Sequence, residues 1–150
     1  MAMHIPEHQS EREIATALRT KGYKATPQRI AICRFATNSR EHPTAGRIYK
    51  EVRKRYPTVS LATVYKTIDI LKKQHLVQEL ALPHGETRFD SNTKAHLNLV
   101  CVKCGGVFDY DSTAIKDAVE EAAEAARFNV TDHSLALYGR CHQCDTKKRD

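Results

Sequence analysis

Apolar residues recur at intervals of three and four in four stretches between residues 10 and 75, the spacing of one face of an α-helix. Each stretch follows a side chain that can cap a helix, namely Ser10, Thr26, Thr44 and Ser60. Glu13 completes a capping box with Ser10. In the last stretch Val64, Ile68 and Leu71 form the predicted buried stripe. The pattern therefore predicts four short helices in this part of the chain.

After residue 75 the pattern changes to two short predicted strands, residues 76–82 and 86–90, on either side of a Pro-His-Gly turn. Short helices followed by a β-hairpin are typical of a winged helix-turn-helix, in which one helix enters the major groove of DNA. We therefore predict a winged-helix DNA-binding domain over residues 1–84.

The fourth helix is the predicted recognition helix, because its inner face is apolar and its outer face is polar. The candidate contacts to bases and phosphates on this helix are Ser60, Thr63, Tyr65 and Lys66. Gln28 and Arg29, at the start of the second helix, are predicted to hold the DNA backbone.

Beyond Asp90 the chain alternates between strand and helix patterns. The predicted elements are strands at 97–101 and 106–110, an acidic, alanine-rich helix at 112–128 and a strand at 133–141. These elements predict a small α/β domain over residues 93–150, with residues 85–92 as a hinge. The whole chain is therefore predicted to be an α+β protein of two domains.

Charge separates the two halves. The formal net charge is +6; residues 1–80 contain 15 Lys and Arg against 7 Asp and Glu, whereas residues 81–150 contain 9 against 11. The first half is thus the candidate for binding nucleic acid. No apolar run approaches the roughly 20 residues of a membrane-spanning helix, and the N-terminal residues lack the apolar segment of a secretory signal. We expect a soluble, cytoplasmic protein with no membrane partner.

Four of the five cysteines form two Cys-x-x-Cys pairs, which are Cys101 with Cys104 and Cys141 with Cys144. Two such pairs can supply four thiolates to a tetrahedral zinc with no open position, which is a structural site. The alternative is a pair of redox-active dithiols. Cys33 stands alone on a predicted helix and is expected to be a small buried hydrophobic residue.

A second set of possible metal ligands is dispersed along the chain: His42, Asp90, His96, Asn98 and Asp109. His96 and Asn98 are two residues apart on one predicted strand, so their side chains share a face, and Asp109 could lie on a neighbouring strand. Each residue alone also has an ordinary explanation, as a surface histidine, a strand-ending aspartate or a turn asparagine. Spacing alone therefore leaves a joint site open.

Several strings together resemble the ferric uptake regulator family, and within it the peroxide-stress regulators. They are Thr-Pro-Gln-Arg at 26–29, His-Pro-Thr-Ala-Gly-Arg-Ile-Tyr at 42–49, the segment 60–71, Thr-Arg-Phe-Asp at 87–90 and the paired Cys-x-x-Cys motifs. The resemblance covers nearly the whole chain. It implies a metal-activated transcriptional repressor that binds an operator in double-stranded DNA as a homodimer, with a C-terminal dimerisation domain at residues 93–150.

The resemblance also assigns the metals. It implies structural zinc on the four paired cysteines and a regulatory metal on His42, Asp90, His96 and positions 98 and 109. Asp109 is the residue type of the peroxide branch, whereas the iron-uptake branch tends to have glutamate there. Position 98 is histidine in the family and asparagine here. A further metal site of the family is absent here by this comparison, because Ala95 and Leu97 stand where that site has ligands, and His133 lacks the other ligands of that site.

Asn98 can offer only a neutral carbonyl oxygen, so two imidazoles, two carboxylates and one amide would favour Fe²⁺ or Mn²⁺ over Zn²⁺ or Cu²⁺. The alternative is that Asn98 hydrogen-bonds the backbone and water takes its place. By resemblance, an ion bound by both domains sets the DNA-competent dimer, and iron-catalysed oxidation of His42 or His96 releases DNA.

Two other functions are compatible with parts of the sequence. One is an iron-uptake regulator of the same family without peroxide sensing. The other is a zinc deaminase, because His-Gly-Glu at 84–86 followed by Cys101 and Cys104 loosely matches the deaminase motif. No proline precedes Cys101, however, and a catalytic zinc needs an open position.

Overall fold

The computed structural model describes residues 10–83, 85–131 and 133–145. The chain divides into two compact units. The first contains the residues up to Ala81 together with Glu86–Thr93, and the second contains Leu82–Gly85 and the residues from Lys94 onward. Residues 86–93, at the predicted hinge, thus belong to the first unit and supply one of its strands. The assignment of the units to DNA binding and dimerisation stays a prediction.

The described residues of the first unit form four helices at the predicted places: α1 (Glu11–Thr20), α2 (Pro27–Asn38), α3 (Ala45–Arg55) and α4 (Leu61–Lys73). Each begins after its predicted cap. The capping box of Ser10 with Glu13 forms in full, and the side chains of Thr26, Thr44 and Ser60 each accept a hydrogen bond from the third backbone N–H beyond them. The cap predictions are confirmed.

The apolar faces of these helices meet in one core. Ile14 and Leu18 of α1 pack with Ile32 and Cys33 of α2, and the predicted stripe of α4 is buried among them. Burial raises the pKa of the Cys33 thiol to about 12, so the side chain stays neutral and acts as a hydrophobic residue.

The wing of the first unit is a two-stranded antiparallel hairpin of β1 (Gln78–Leu80) and β2 (Arg88–Asp90), in which Gln78 pairs with Asp90. Both strands are shorter than predicted. Strand β1 starts late because the N–H of Leu76 still bonds to the carbonyl of Leu71 at the end of α4. His84, in the predicted turn, lies outside the described residues.

The second unit contains a three-stranded sheet. Its elements are β3 (Leu97–Cys101), β4 (Val107–Tyr110), α5 (Thr113–Ala125), β5 (Ala136–Gly139) and α6 (His142–Asp145). The strand order is β4-β3-β5, with β4 antiparallel and β5 parallel to β3. The sequence predicted the strands and α5 but not α6, a single turn within the second Cys-x-x-Cys motif. In the described parts of the chain, no helix has the length and apolar character needed to cross a membrane.

Candidate metal centres and DNA-binding surface

The four paired cysteines lie together in the second unit. Cys101 ends β3, and Cys104 lies in the turn that Gly105 closes with a φ of +70°. Cys141 directly precedes α6, and Cys144 lies within it. Because β5 pairs in parallel with β3, with Gly139 opposite Cys101, the second motif follows the strand to the same edge of the sheet as the first. The four Sγ atoms all lie within 4.8 Å of one another.

The spacing of the sulfurs fits zinc. A tetrahedral zinc with Zn–S distances of about 2.3 Å sets its sulfurs about 3.8 Å apart, and the Sγ atoms of Cys104 and Cys141 are 3.8 Å apart. All four sulfurs form one cluster and none of the described cysteines is in a disulfide. This arrangement favours one metal over two separate dithiols.

Electrostatics in the cluster also suits a cation. The backbone N–H of Cys141 donates to Cys101 Sγ at 3.3 Å, and this hydrogen bond with those from the N–H groups of the Cys101–Cys104 turn lowers the pKa of Cys101 to about 6. The neighbouring sulfurs, Cys141 first, raise the pKa of Cys144 to about 12. Four thiolates cannot coexist here without positive charge, and a divalent ion supplies it.

In the first unit, His42 lies beside Asp90. Both side chains are buried, and His42 Nε2 is 3.6 Å from Asp90 Oδ1. The residues are far apart in sequence, and the backbone brings them together. The N–H of Phe89 donates to the carbonyl of Pro43 at 3.0 Å, and Arg88 Nη1 donates to the carbonyl of His42 at 3.2 Å. The loop before α3 is thus fastened along β2.

His42 has a left-handed backbone conformation, with φ of +48°. This conformation costs a residue with a side chain on the order of 1 kcal/mol, and the following Pro43 restricts the backbone further. The bonds to Arg88 and Phe89 hold the loop in this shape. Its side chain is also buried, so His42 is not the surface histidine that the sequence left as an alternative.

The carboxylate of Asp90 has two further partners that the sequence did not reveal. Gln78 Nε2 donates to Oδ2 at 3.1 Å, and the backbone N–H of Asn92 donates to Oδ1 at 2.8 Å. Gln78 lies directly opposite Asp90 in the hairpin. The pairing register could have identified Gln78, but the register depends on strand ends that the sequence predicted only approximately.

The second unit contains a similar pair. His96 Nε2 is 3.6 Å from Asp109 Oδ1, and His96 is fully buried whereas Asp109 is partly exposed. His96 Nδ1 is 2.8 Å from the carbonyl of Lys94. Because a carbonyl can only accept, Nδ1 carries the proton, and Nε2 faces Asp109. A hydrogen bond of this type orients histidine ligands in metal sites.

Asn98 lies directly opposite Asp109 in the β3–β4 pairing and two residues from His96 on β3. Its side chain is buried, and no described residue donates a hydrogen bond to its Oδ1. A buried amide oxygen without a donor is costly, on the order of 1–3 kcal/mol. An oxygen in this position could accept a cation, and the role of Asn98 as a ligand stays a prediction.

The candidate DNA-binding residues lie at the start of α2 and along α4. Tyr65 and Lys66 are exposed on α4, whereas Thr63 is half-buried and shares a hydrogen bond of 2.9 Å with the cap Ser60. At α2, Gln28 Nε2 donates to Thr58 Oγ1 at 2.9 Å and Arg29 Nη1 donates to the carbonyl of Lys24 at 2.7 Å. Contact of these residues with DNA stays a prediction.

A winged-helix unit in the same chain as a small α/β unit with clustered metal ligands defines a class, the metal-responsive DNA-binding regulators. The sequence model of the Ferric uptake regulator family matches residues 20–138 of this chain, and the chain belongs to that family.

Two relatives are peroxide-responsive repressors. PerR of Staphylococcus epidermidis is 36% identical over 138 residues, which are 92% of this chain and 91% of the relative. PerR of Staphylococcus saprophyticus is 37% identical over 141 residues, 94% of this chain and 95% of the relative. The chain is thus similar to peroxide-responsive members of the family over nearly its full length.

Several solved structures are similar to this chain. The Campylobacter jejuni peroxide stress regulator matches with a TM-score of 0.72 and 32% identity over 86% of this chain and 97% of its own. The ferric uptake regulator of Pseudomonas aeruginosa with manganese matches with a TM-score of 0.71 and 28% identity over 85% and 96%. The Helicobacter pylori ferric uptake regulator, at 17% identity and a TM-score of 0.76 over 94% and 97%, supports the fold alone. The predicted fold class is confirmed.

The chain is therefore a DNA-binding transcriptional regulator that binds metal, and it is not an enzyme. The deaminase alternative is wrong: Cys101 and Cys104 share their cluster with two more thiols, so a metal held by all four has no position for substrate. His84 of the deaminase-like motif lies outside the described residues.

Proposed function

We propose that the protein is a homodimeric, metal-dependent repressor that senses peroxide. The observation that carries this proposal is the pair of matching His–Asp arrangements, one in each unit, with the same Nε2–Oδ1 distance of 3.6 Å. Each offers one imidazole and one carboxylate, which are two ligands suited to a divalent transition-metal ion. In the proposed regulator one ion is bound by both pairs.

Asn98 is the proposed fifth ligand of this ion, through its buried Oδ1. Three oxygens and two nitrogens form a harder donor set than the family's usual three imidazoles and two carboxylates. Harder donors favour Fe²⁺ or Mn²⁺ over Zn²⁺ or Cu²⁺. The two carboxylates of Asp90 and Asp109 balance the charge of the ion.

A structural zinc on Cys101, Cys104, Cys141 and Cys144 is the second part of the proposal. It is supported by the sulfur spacing of 3.8 Å and by the polarised thiols of the cluster. The zinc would hold the end of β3 to the segment that follows β5.

The proposed dimer forms through the second unit. Several large apolar side chains of its sheet are half-exposed or more, and no described residue of α5 is buried. These side chains are Val102, Phe108, Tyr110, Leu137 and Tyr138. An exposed apolar surface of this kind marks a protein–protein contact, and a second copy of the chain provides the matching surface.

Metal controls DNA binding in the proposal because His42 and Asp90 belong to the DNA-binding unit and the other ligands to the dimerising unit. An ion bound by both limits how the two units are oriented. In a dimer that orientation sets the spacing of the two α4 helices, which must match half-sites one helical turn of DNA apart. Couplings of this type are typically about 1–3 kcal/mol, or about 5- to 150-fold in operator affinity.

Peroxide sensing uses the same histidines. Ferrous iron, when bound, would activate peroxide for reaction with the neighbouring ligands. Overall, one peroxide would oxidise one imidazole, of His42 or His96, by two electrons, leaving one oxygen atom on the ring and the other as water. An oxidised imidazole is a poor ligand, so the metal and then the operator are released. The similarity to peroxide-responsive repressors and Asp109 support this part of the proposal.

Operator binding by the zinc-loaded protein tests the function. The probe is a DNA duplex selected from a random pool by the manganese-loaded protein, and its affinity is measured by fluorescence anisotropy. We expect Mn²⁺ and Fe²⁺ each to raise the affinity by about 5- to 150-fold. Peroxide should abolish binding in the iron form and leave the manganese form unchanged. DNA affinity that does not respond to either metal would refute the proposal.

Mass spectrometry identifies the oxidised residue. After peroxide treatment of the iron form, peptides that contain His42 or His96 should each gain one oxygen atom. His75 is exposed and far along the chain from the ligands, so its peptide serves as the internal control. Metal-dependent DNA binding without histidine oxidation would support the iron-uptake regulator instead.

A further inference from the structure

Both carboxylate oxygens of Asp90, in the first unit, accept hydrogen bonds from other groups of the protein. Gln78 Nε2 donates to Oδ2 at 3.1 Å, and the N–H of Asn92 donates to Oδ1 at 2.8 Å. The carboxylate is buried, so water cannot take the place of either donor. These two partners therefore contribute to the orientation of Asp90.

The Gln78 amide contacts two acceptors. The same Nε2 donates to the carbonyl of Asn92 at 2.9 Å. Because both neighbours are acceptors, the nitrogen rather than the oxygen of the amide faces them, and each of its two hydrogens has one partner. Gln78 thus links the Asp90 side chain to the backbone that follows β2.

This arrangement leaves one carboxylate oxygen directed toward the histidine. Oδ2 is occupied by Gln78, whereas Oδ1 has accepted one backbone hydrogen bond and lies 3.6 Å from His42 Nε2. A carboxylate oxygen can accept on two lone pairs. Oδ1 is therefore the carboxylate oxygen of Asp90 that faces His42.

We propose that Gln78 is a positioning residue for the regulatory metal: it fixes the rotation of Asp90 and so sets the affinity and ligand geometry of the site. This inference rests on the proposed function, in which Asp90 is a metal ligand. A neutral amide suits the role because a Lys or Arg at position 78 would neutralise the carboxylate and compete with the cation. Partners of this type typically contribute about 10- to 100-fold in metal affinity.

The neighbouring residue on β1 provides a matched control. Glu79 is exposed on the other face of the strand and forms an ion pair with Lys72, whereas Gln78 is half-buried. Glu79→Gln removes a charge at the surface, next to the site in sequence but not in contact with Asp90.

The experiment compares Gln78→Met, Gln78→Ala, Glu79→Gln and Asp90→Asn in the full-length, zinc-loaded protein. Mn²⁺ affinity is measured from the electron paramagnetic resonance signal of free Mn²⁺, and the spectrum of bound Mn²⁺ reports its ligand geometry. Melting temperature and zinc content are measured in parallel. We expect both Gln78 variants to weaken Mn²⁺ binding by about tenfold and to change the bound spectrum, with Glu79→Gln within about twofold of the parent protein.

The outcomes separate this inference from the function on which it rests. If Asp90→Asn leaves Mn²⁺ affinity unchanged, Asp90 is not a ligand and the proposed function fails. If Asp90→Asn weakens binding but the Gln78 variants do not, the role of Gln78 alone is refuted. A lower melting temperature with an unchanged bound spectrum and affinity would also refute it, because Gln78 would then only stabilise the hairpin.

Discussion

The two units of the chain have very different interiors. The first unit encloses one continuous cluster of buried apolar side chains, contributed by all four of its helices, by Val77 before β1 and by Phe89 of β2. In the described part of the second unit, only Val100 and Cys101 are buried hydrophobic residues, and His96 and Asn98 are buried beside them. The first unit is thus stabilised by hydrophobic burial, whereas the second has little core of its own.

The difference shows what the second unit needs in order to fold. A small domain with little buried apolar surface is stable only with a metal, a disulfide or a partner. Its described cysteines form no disulfide, and its sheet and α5 expose apolar side chains. We therefore expect stability there to come from zinc and from a second copy of the chain.

The largest predicted effect is that of zinc removal, which should unfold the second unit and leave the first folded. We expect a strong chelator, or Cys141→Ser, to unfold the second unit, because structural zinc contributes an apparent binding free energy of about 10–16 kcal/mol. Hydrogen exchange followed by mass spectrometry should show lost protection in β3 and β5 and retained protection in α2 and α4. Retained protection in β3 after complete zinc removal would show that the second unit does not need zinc to stay folded.

The next largest effect concerns the core of the first unit. Leu71→Ala removes a fully buried side chain from α4 and should lower the free energy of unfolding of that unit by about 2–5 kcal/mol. Leu61→Ala, on the same helix but 42% exposed, is the control and should cost about 0.5 kcal/mol or less. Urea unfolding followed by circular dichroism measures both. Equal losses would show that the first unit does not depend on its apolar core as described.

The third prediction compares a substitution on the exposed sheet of the second unit, the proposed dimer surface, with one in the first unit. Leu137 is 58% exposed, and Leu137→Glu places a charge on the proposed dimer surface. We expect the dimer to weaken by about 2 kcal/mol, or roughly 30-fold in dissociation constant. Leu61→Glu, in the first unit, should leave the dimer intact. Sedimentation velocity distinguishes the cases, and an undisturbed Leu137→Glu dimer would place the interface elsewhere.

The smallest effect comes from matched helix caps. Thr26 caps α2 and Ser112 caps α5, each accepting a backbone hydrogen bond of 3.2 Å. Thr26→Ala should lower the unfolding free energy of the first unit by about 1 kcal/mol, because α2 packs in the core. Ser112→Ala should change global stability much less, since α5 has no buried residue and its local opening should cost little. Thermal unfolding of both variants tests this, and equal losses would show that α5 is as firmly packed as α2.

The sequence predicted the features that depend on neighbouring residues. The caps Ser10, Thr26, Thr44 and Ser60 act within three residues, so their helices begin where the side chains indicated. The four cysteines were recognisable because paired thiols at a fixed spacing have few other uses in a reducing compartment. The short helix α6 was not predicted, because a single turn has no periodicity.

Features that depend on distant residues were beyond the sequence. His42 meets Asp90 only because the backbone of Phe89 bonds to Pro43, and no local pattern indicates that bond or the left-handed backbone of His42. The contact of Gln78 with Asp90 depends on the pairing register of the hairpin. Likewise, the residue type at position 98 gave the available donor atom, but only packing shows that Oδ1 is enclosed.

The parallel pairing of β5 with β3 has a consequence for how the protein matures. Cys104 and Cys141 are 37 residues apart, so a ribosome must make β4, α5 and β5 before the second pair of thiols exists. During that interval Cys101 and Cys104 are an incomplete and reactive dithiol. Loading of the proposed zinc would therefore be a late event in biogenesis, after β5 and both motifs have been made.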